Sequence, residues 1–189
     1  YFVARCLDAG FGVSMNRDLA LGYYKKAAGR GLNRAHFRIG MILQYVQNNL
    51  AEARAHFILA QGHPETLFEL ANHEFNGLAG PVNHVEGMKL IRSAAESGLG
   101  VAQALLAMIH AEGAYGVARD PVEAYAWMVA ARANGFRDPK KLFEQLQAWV
   151  AESERKKGEE LGRAYKSRYK PHVEIENPLR PGAVRTVPN

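Results

Sequence analysis

The sequence predicts an all-α fold, an α/α superhelical solenoid of about four helical-hairpin repeats. The first observation is a recurring phrase, because "YYKKAAGRG" returns in altered form as "KLIRSAAESG" and "AYAWMVAARANG". The second is its spacing. Glycines that close successive segments are separated by 31, 36 and 37 residues, at Gly31, Gly62, Gly98 and Gly135. Each interval accommodates two helices and two short connections, which is typical of a repeat array.

The segment before each closing glycine has the apolar periodicity of a helix. In "RDLALGYYKKAAGRG" (17–31) alanine and tyrosine recur at i, i+3, i+4, i+7 and i+8, which places them on one face. The last such segment, "DPVEAYAWMVAARANG" (120–135), repeats this pattern. There Asp120 is a predicted N-cap, Pro121 suits the first helical position, and Gly135 suits a left-handed C-cap.

A second amphipathic helix is predicted after each closing glycine. Its stripes lie in "AHFRIGMIL" (35–43), "TLFELANHEFNG" (66–77) and "AQALLAMIHAEG" (102–113), and the chain start fits the end of the same helix. Gly40, Ala71 and Ala107 are small residues at one equivalent position, so a neighbouring helix is expected to approach closely there. Stacked hairpins bury stripes that one hairpin leaves exposed. Because the first helix is incomplete, further repeats are expected ahead of Tyr1.

These spaced positions resemble the Sel1-like repeat family, a relative of the tetratricopeptide repeat. The first repeat matches through its loop "GFGV" and its closing phrase, and the last through "GAYGV", Asp120 and Gly135. The last repeat departs from the family pattern by having His110 at a tyrosine position. The second repeat lacks the glycine loop, and the third reads "NGLAGPVNHVEG" in its place. The resemblance covers roughly residues 1–137.

The resemblance implies a non-enzymatic scaffold or adaptor that binds other proteins. Members of the family hold partner proteins, many of them in bacterial envelopes. The implied role is therefore a subunit of a larger assembly, with one or more proteins as partners. Bacterial periplasm or the cell envelope is favoured over cytoplasm or mitochondrion, and the flagellar motor is one candidate assembly. Peripheral contact with a membrane complex is compatible with such a setting.

Three regions are predicted along the chain. Residues 1–137 form the repeat solenoid. Residues 138–169 are expected to form C-terminal capping helices, which resemble the extra helices that often follow such arrays. Residues 170–189 contain four prolines and no helical period, which predicts an extended tail. Its predicted partner-binding side chains are Val173, Ile175 and Leu179.

The candidate binding surface is the concave face, which the first helix of each hairpin is expected to line. Positions that turn away from the buried stripe of that helix are moderately apolar and weakly charged, which suits a helical or extended partner segment. The predicted partner-binding residues are His36, Met41, Gln44, Leu67, Asn72, Phe75, Gln103 and Met108.

No pattern in the sequence indicates catalysis, a metal or a cofactor. Cys6 is the single cysteine, with no acid or histidine at a spacing that suggests activation. The seven histidines form no H-x-x-x-H or H-E-x-x-H pair. Neither glycine loop follows a predicted strand or precedes G-K-[ST]. No apolar run approaches the roughly 18 residues of a membrane span.

The net charge of +5 is concentrated in the C-terminal part of the chain. Residues 1–138 contain 13 Lys and Arg against 12 Asp and Glu, whereas residues 139–189 contain 11 against 7. The alternative function is therefore binding of nucleic acid or an anionic membrane surface through the basic helix "ERKKGEELGRAYKSRYK" (154–170). The interleaved Glu154, Glu159 and Glu160 argue against a surface that follows phosphates, so a nucleic-acid partner is not expected.

Overall fold

The computed structural model describes residues 1–60, 62–137 and 141–168. Within these ranges the chain forms ten helices and no strand, so the predicted all-α solenoid is confirmed. The helices are α1 (Phe2–Ala9), α2 (Arg17–Ala28), α3 (Asn33–Tyr45), α4 (Leu50–Leu59), α5 (Pro64–Asn76), α6 (His84–Glu96), α7 (Gly100–Glu112), α8 (Pro121–Ala133), α9 (Leu142–Trp149) and α10 (Glu152–Arg168). Helices α1 to α8 pair in order as four hairpins.

One backbone hydrogen bond is repeated in all four hairpins. The N–H of the residue that caps the second helix donates to a carbonyl near the end of the first helix, over 2.8 or 2.9 Å. The cap side chain in turn accepts a bond from an N–H in the first turn of its helix, which satisfies a donor that the helix leaves open. The pairs of cap and carbonyl residues are Asn16 with Leu7, Asn49 with Leu43, Asn83 with Glu74, and Asp120 with His110.

The second hairpin keeps this bond although its connection is short. The sequence of this repeat lacks the glycine loop, and only residues 46–49 separate α3 from α4. Asn48 takes a φ of 52° in that turn, a left-handed conformation that asparagine tolerates better than most residues. The predicted N-cap at Asp120 is confirmed, and it accepts bonds from the N–H groups of both Val122 and Glu123.

The closing glycines mark the passage from one hairpin to the next. All four have a left-handed φ, between 82° and 89°, which residues with a Cβ rarely adopt. At Gly135 the helix α8 has just ended with its cap at Asn134, and the chain then leaves in a new direction. These glycines therefore account for the regular interval that the sequence displays.

The apolar core consists of two clusters along the array. The N-terminal cluster belongs to α1–α4 and contains Ala4, Ala20, Tyr24, Ala35, Ile39, Ile42, Leu43, Ala53 and Phe57. The C-terminal cluster extends from α5 to α9, and its largest members include Phe75, Ile91, Leu106, Tyr125, Trp127 and Met128. In both clusters a phenyl ring covers a helical glycine. Phe57 lies over Gly40 and Phe75 over Gly87, so a Cβ at either glycine would stand within 2.7 Å of ring carbons.

The last two helices cover the end of the C-terminal cluster. Gly162 of α10 lies so close to α8 that a Cβ there would stand 2.7 Å from the carbonyl oxygen of Ala126. Beside this contact the Tyr165 ring packs 4.4 Å from Trp127, and its hydroxyl donates to the Glu123 carboxylate. Helix α9 contacts α8, with the Arg132 guanidinium 4.1 Å from the Phe143 ring centroid.

Candidate binding groove

The first helices of the hairpins present side chains in the same register. Met41, Asn72 and Met108 each precede by two residues the carbonyl of the repeated backbone bond, and Arg5 occupies the same position in the first hairpin. All four are half-buried, so part of each side chain reaches the surface. Repetition places them in one row across the array. Three of the four, Met41, Asn72 and Met108, are residues predicted from the sequence to bind a partner.

A pocket lies at the junction of α1 and α3, and we call it the N-terminal pocket. Its volume is about 300 Å³, and it is lined by Asp8, Arg17, Arg38, Met41, Ile42, Tyr45 and Val46. Asp8 accepts a hydrogen bond from the Tyr24 hydroxyl over 3.3 Å and lies 3.6 Å from Arg17. Burial, followed by the Asp8 carboxylate, raises the pKa of Tyr24 well above its usual range. Two guanidinium groups and one carboxylate give this pocket a net positive charge.

A second pocket lies at the equivalent junction of α7 and α9, and we call it the C-terminal pocket. Its volume is about 200 Å³, and its lining is mostly apolar: Met108, Ala111, Glu112, Met128, Leu142, Gln145, Leu146 and Trp149. The Trp149 ring forms one wall and is itself covered by the Arg119 guanidinium, 4.2 Å from the ring centroid. This cation–π contact stabilises the ring, and Arg119 itself is not among the lining residues.

Between the two pockets the junction of α3, α4 and α5 is held by polar side chains. Gln44 donates through Nε2 to Glu69 Oε2 over 2.9 Å, and the Tyr45 hydroxyl donates to the same oxygen over 3.0 Å. His73 Nε2 and Gln44 Oε1 are 2.6 Å apart. We call these side chains, with the Arg54–Glu74 ion pair at 2.6 Å, the junction network.

The hydrogen bonds of the junction network fix which of its side chains donate and which accept, and burial shifts the pKa values of His73 and Glu69. Because the Gln44 amide gives its N–H to Glu69, its oxygen is left to accept from His73 Nε2–H. Burial lowers the pKa of His73, and the nearby Arg54 guanidinium lowers it further. Burial also raises the pKa of Glu69, although the bonds from Gln44 and Tyr45 oppose that rise. The junction therefore holds a neutral imidazole beside a desolvated carboxyl group.

Three of the predicted partner-binding side chains are buried in the structure rather than facing outward. Gln44 is buried in the junction network. Gln103 is fully buried, donating to the Ala95 carbonyl and accepting from Asn134, so it secures the turn between α6 and α7. Phe75 is 6% exposed and stacks on Tyr115 at 4.3 Å. Each lies at the contact between consecutive repeats, which the periodicity of a single helix does not reveal.

The remaining predicted residues of the concave face are half-buried. Leu67 packs against the C-terminal cluster. His36 lies with its Nδ1 atom 2.9 Å from Nδ1 of His56, a contact between α3 and α4 across 20 residues of sequence. Burial and the neighbouring His36 lower the pKa of His56. Sequence reasoning missed this pair, because the two histidines share no local spacing and meet only when the hairpin closes.

The structure describes the basic C-terminal helix α10 as far as Arg168 and does not describe the predicted tail. Val173, Ile175 and Leu179 lie outside the described residues, so their predicted role stays a prediction. In α10, Lys156 lies 3.3 Å from Glu152 and Arg163 lies 3.4 Å from Glu159. Intrahelical pairs of this kind offset part of the basic charge on which the alternative function depends.

The described residues offer little for metal chemistry or membrane crossing. Over residues 1–60, 62–137 and 141–168, no group of three or more His, Cys, Asp or Glu side chains could hold a metal ion. Cys6 is a free, half-buried thiol. None of the helices in the same ranges is both long and apolar enough to cross a bilayer.

Comparison with known proteins identifies the repeat. A family model described as Sel1 repeat matches residues 1–32, 64–99 and 100–136, more than half of the chain. The chain belongs to the Sel1 repeat family. No curated protein matches its sequence. The hairpin α3–α4 falls largely between the matched segments, yet it keeps the backbone bond of the other Sel1 hairpins.

Two solved structures show the same solenoid. The first is c5321, a protective antigen present in uropathogenic Escherichia coli strains that displays an SLR fold, with a TM-score of 0.79 and 27% identity. It covers all of this chain, which spans 42% of its length. The second is a Sel1 repeat protein from Oxalobacter formigenes, with a TM-score of 0.67, 24% identity and 79% of this chain covered. This chain spans 60% of that protein and resembles it in fold.

Membership of the family indicates the general type of activity. Sel1 repeat proteins generally mediate protein–protein interaction, and the SLR fold is typically a non-catalytic scaffold for such contacts. This general role agrees with the expectation drawn from the sequence.

Proposed function

We propose that this Sel1 repeat protein is a non-enzymatic scaffold that holds a segment of a partner protein in its groove. The observation that carries the proposal is the row of equivalent positions Arg5, Met41, Asn72 and Met108, in which Met41 lines the N-terminal pocket and Met108 the C-terminal pocket. A continuous row of half-buried side chains between two pockets suits a linear segment, because successive partner residues then meet successive repeats.

The pockets supply the kind of anchoring that interfaces need. A few buried aromatic, methionine and arginine contacts carry most of the binding free energy in protein interfaces. Both pockets of this protein are lined by such residues, including Trp149 and Met108 at one end and Tyr45 and Arg38 at the other. The partner would therefore be anchored at two sites rather than held by the flat surface between them.

The proposed setting is a larger assembly of the bacterial cell envelope, with the flagellar motor as one candidate. This part rests on the resemblance to Sel1 family members that act there. The tail at residues 170–189 is proposed as a second contact with the assembly. The alternative, binding of nucleic acid or anionic lipid by α10, has weaker support, since Arg155 donates to the Gln147 carbonyl and two further basic residues face glutamates.

Site-specific photocrosslinking in cells tests the proposal. A photoreactive amino acid is introduced separately at Met41, at Met108 and, as a control, at Lys156, whose side chain is 74% exposed on α10. We expect one and the same protein to be crosslinked from positions 41 and 108 but not from 156. A partner crosslinked only from 156, or different proteins from 41 and 108, would show that the groove is not the binding surface.

A further inference from the structure

We infer that the groove selects a partner segment with an acidic group at one end and an apolar side chain at the other, roughly nine residues apart. This inference rests on the proposed function and adds the chemistry of the partner to it. It follows from a change in character along the array: the N-terminal pocket is basic, whereas the C-terminal pocket is apolar and carries one acidic residue.

The basic end is built around Arg38 and Arg17. The only carboxylate lining the N-terminal pocket, Asp8, lies 3.6 Å from Arg17 and also receives the Tyr24 hydroxyl. Asp8 is thus engaged by Arg17, while Arg38, a half-buried residue of the pocket lining, has a buried Nε with no hydrogen-bond partner among the described residues. Arg5 adds another positive charge at the same end of the row. A carboxylate from a partner would satisfy the Arg38 guanidinium with charge-assisted hydrogen bonds.

The C-terminal pocket favours an apolar side chain of the partner. Met108, Leu142, Leu146 and Trp149 surround a space large enough for one aliphatic or aromatic side chain. Glu112 lies at the edge of this pocket and is exposed. Its carboxylate repels a partner acid placed there, so it favours the orientation that puts the acid at the N-terminal pocket.

The middle of the groove discriminates little. Asn72 occupies the central position of the row, and Glu69 is buried beneath the Tyr45 hydroxyl, where its carboxylate is satisfied by Gln44 and Tyr45. Neutral hydrogen-bonding groups in the middle of the groove are compatible with many partner side chains. Specificity therefore comes from the two ends and from the distance between them.

The distance follows from the repeat geometry. Packed helices lie roughly 10 Å apart, and three repeat steps separate the α1–α3 junction from the α7–α9 junction, which gives roughly 30 Å. An extended chain advances about 3.3 Å per residue, so roughly nine residues span the two pockets. A shorter segment reaches only one pocket and loses the other anchor.

The test uses a display library of random sixteen-residue peptides, selected on the full chain. We expect enriched peptides to contain Asp or Glu and an aromatic, Leu or Met residue separated by seven to eleven positions. One enriched peptide is then synthesised with its acids either kept or changed to Asn and Gln. Fluorescence anisotropy should show about tenfold weaker binding of the neutral peptide in low salt, with a smaller salt dependence.

Matched variants assign the two anchors. R38Q should weaken binding of the acidic peptide about tenfold and abolish its advantage over the neutral peptide. M108Q should weaken both peptides equally. K156Q on α10 is the control and should change neither affinity. Because Arg38 is half-buried, circular dichroism checks its fold, and R17Q, at a side chain 45% exposed, gives a second measurement at the same pocket.

The outcomes separate this inference from the proposed function. If enriched peptides lose affinity in M108Q but carry no acids, or bind R38Q as well as the native chain, the groove binds peptides and the charge inference is wrong. If the library yields no binder, or only peptides insensitive to both M108Q and R38Q, the proposed function fails along with it.

Discussion

Both halves of this Sel1 solenoid are built from the same kind of helical hairpin. Hairpins within the C-terminal half meet through apolar side chains, whereas the contact between the two halves includes a network of polar side chains. The N-terminal half, α1–α4, and the C-terminal half, α5–α10, each have a continuous apolar cluster. Within the C-terminal half, successive hairpins meet through residues such as Ile91, Leu106 and Trp127. At the boundary between the halves the junction network joins α3 and α4 to α5, beside apolar contacts such as that of Leu70 with the N-terminal cluster.

This difference shows that a repeat array can change the contacts between its hairpins while the structure of each hairpin stays the same. Apolar burial is non-directional and stabilises many relative orientations, whereas hydrogen bonds such as His73 to Gln44 require one geometry. We expect the polar joint to add less stability than an apolar one and to fix the angle between the halves.

Removal of Trp127 should destabilise the C-terminal half far more than the N-terminal half. Trp127 is 1% exposed, and its ring also supports Tyr165 of α10. We expect W127A to lower the free energy of unfolding by about 3–5 kcal/mol. Hydrogen exchange with mass spectrometry should show loss of amide protection in α6–α10 and little change in α1–α4. The reciprocal variant, I39A, should show the opposite pattern, and equal loss in both halves would mean that the junction couples them fully.

Replacement of Gln44 tests the junction network itself. Q44L leaves Glu69 without one of its donors and His73 Nε2 without its acceptor, both in buried positions. We expect a loss of about 1–3 kcal/mol in urea unfolding, the cost of leaving buried polar groups unpaired. The triple variant Q44L/E69L/H73L removes the three buried polar side chains together and should recover most of the stability that Q44L loses. A triple variant less stable than Q44L would show that the polar groups are needed for stability.

Two glycine-to-alanine substitutions compare a glycine at a close contact between helices with a glycine on an open helix surface. G162A places a Cβ 2.7 Å from the Ala126 carbonyl oxygen and 2.8 Å from Val129 Cβ, so α10 must move away from α8. We expect about 1–3 kcal/mol of destabilisation and faster proteolysis within α10. G22A, in α2, meets nothing within 4 Å. It should instead stabilise the chain by about 0.5–1 kcal/mol, since alanine favours the helix.

The pH dependence of stability should be the smallest effect. Burial lowers the pKa of His73 and of His110 in the folded chain, so between those values and about 6.5 the unfolded chain binds more protons. Stability is therefore expected to fall as the pH decreases below about 6.5. Glu69 acts in the opposite direction, because its raised pKa favours the folded state as the pH decreases toward about 4.5.

Urea midpoints at pH 7.5, 6.5 and 5.5 measure this effect. The variant H73Q should flatten the dependence, whereas H84Q, at an exposed position, should preserve it. A midpoint that stays constant or rises between pH 7.5 and 5.5 would show that the buried histidines do not set the profile.

The repeat plan could be predicted because it depends on local rules. The closing glycines adopt positive φ, the cap at Asp120 bonds to the first turn of α8, and the neighbouring helix α4 approaches the small residue Gly40 closely, as the periodicity and spacing indicate. Each of these features involves residues whose conformational limits are visible in the sequence itself. Met41, Asn72 and Met108, which the sequence predicts as partner-binding residues, are half-buried at equivalent positions of their helices.

The errors concern contacts between repeats. Gln44 and Gln103 bond to Glu69 and Ala95 in neighbouring hairpins, and Phe75 stacks on Tyr115 of the next repeat, so all three are buried. Gln103 accepts from Asn134, 31 residues later, and Gln44 meets Glu69, 25 residues later. Their burial depends on the angle between hairpins, which local periodicity does not contain.

The sequence alone thus determined the Sel1 hairpins, their number and their order, since helix periodicity, capping and glycine turns act within a few residues of the chain. Tertiary structure decided which of the predicted side chains remain accessible, the pairing of His36 with His56, and the contrast between a basic and an apolar pocket. These features arise where helices meet within and between hairpins, because burial and charge at such a site are sums over residues that the chain brings together only by folding.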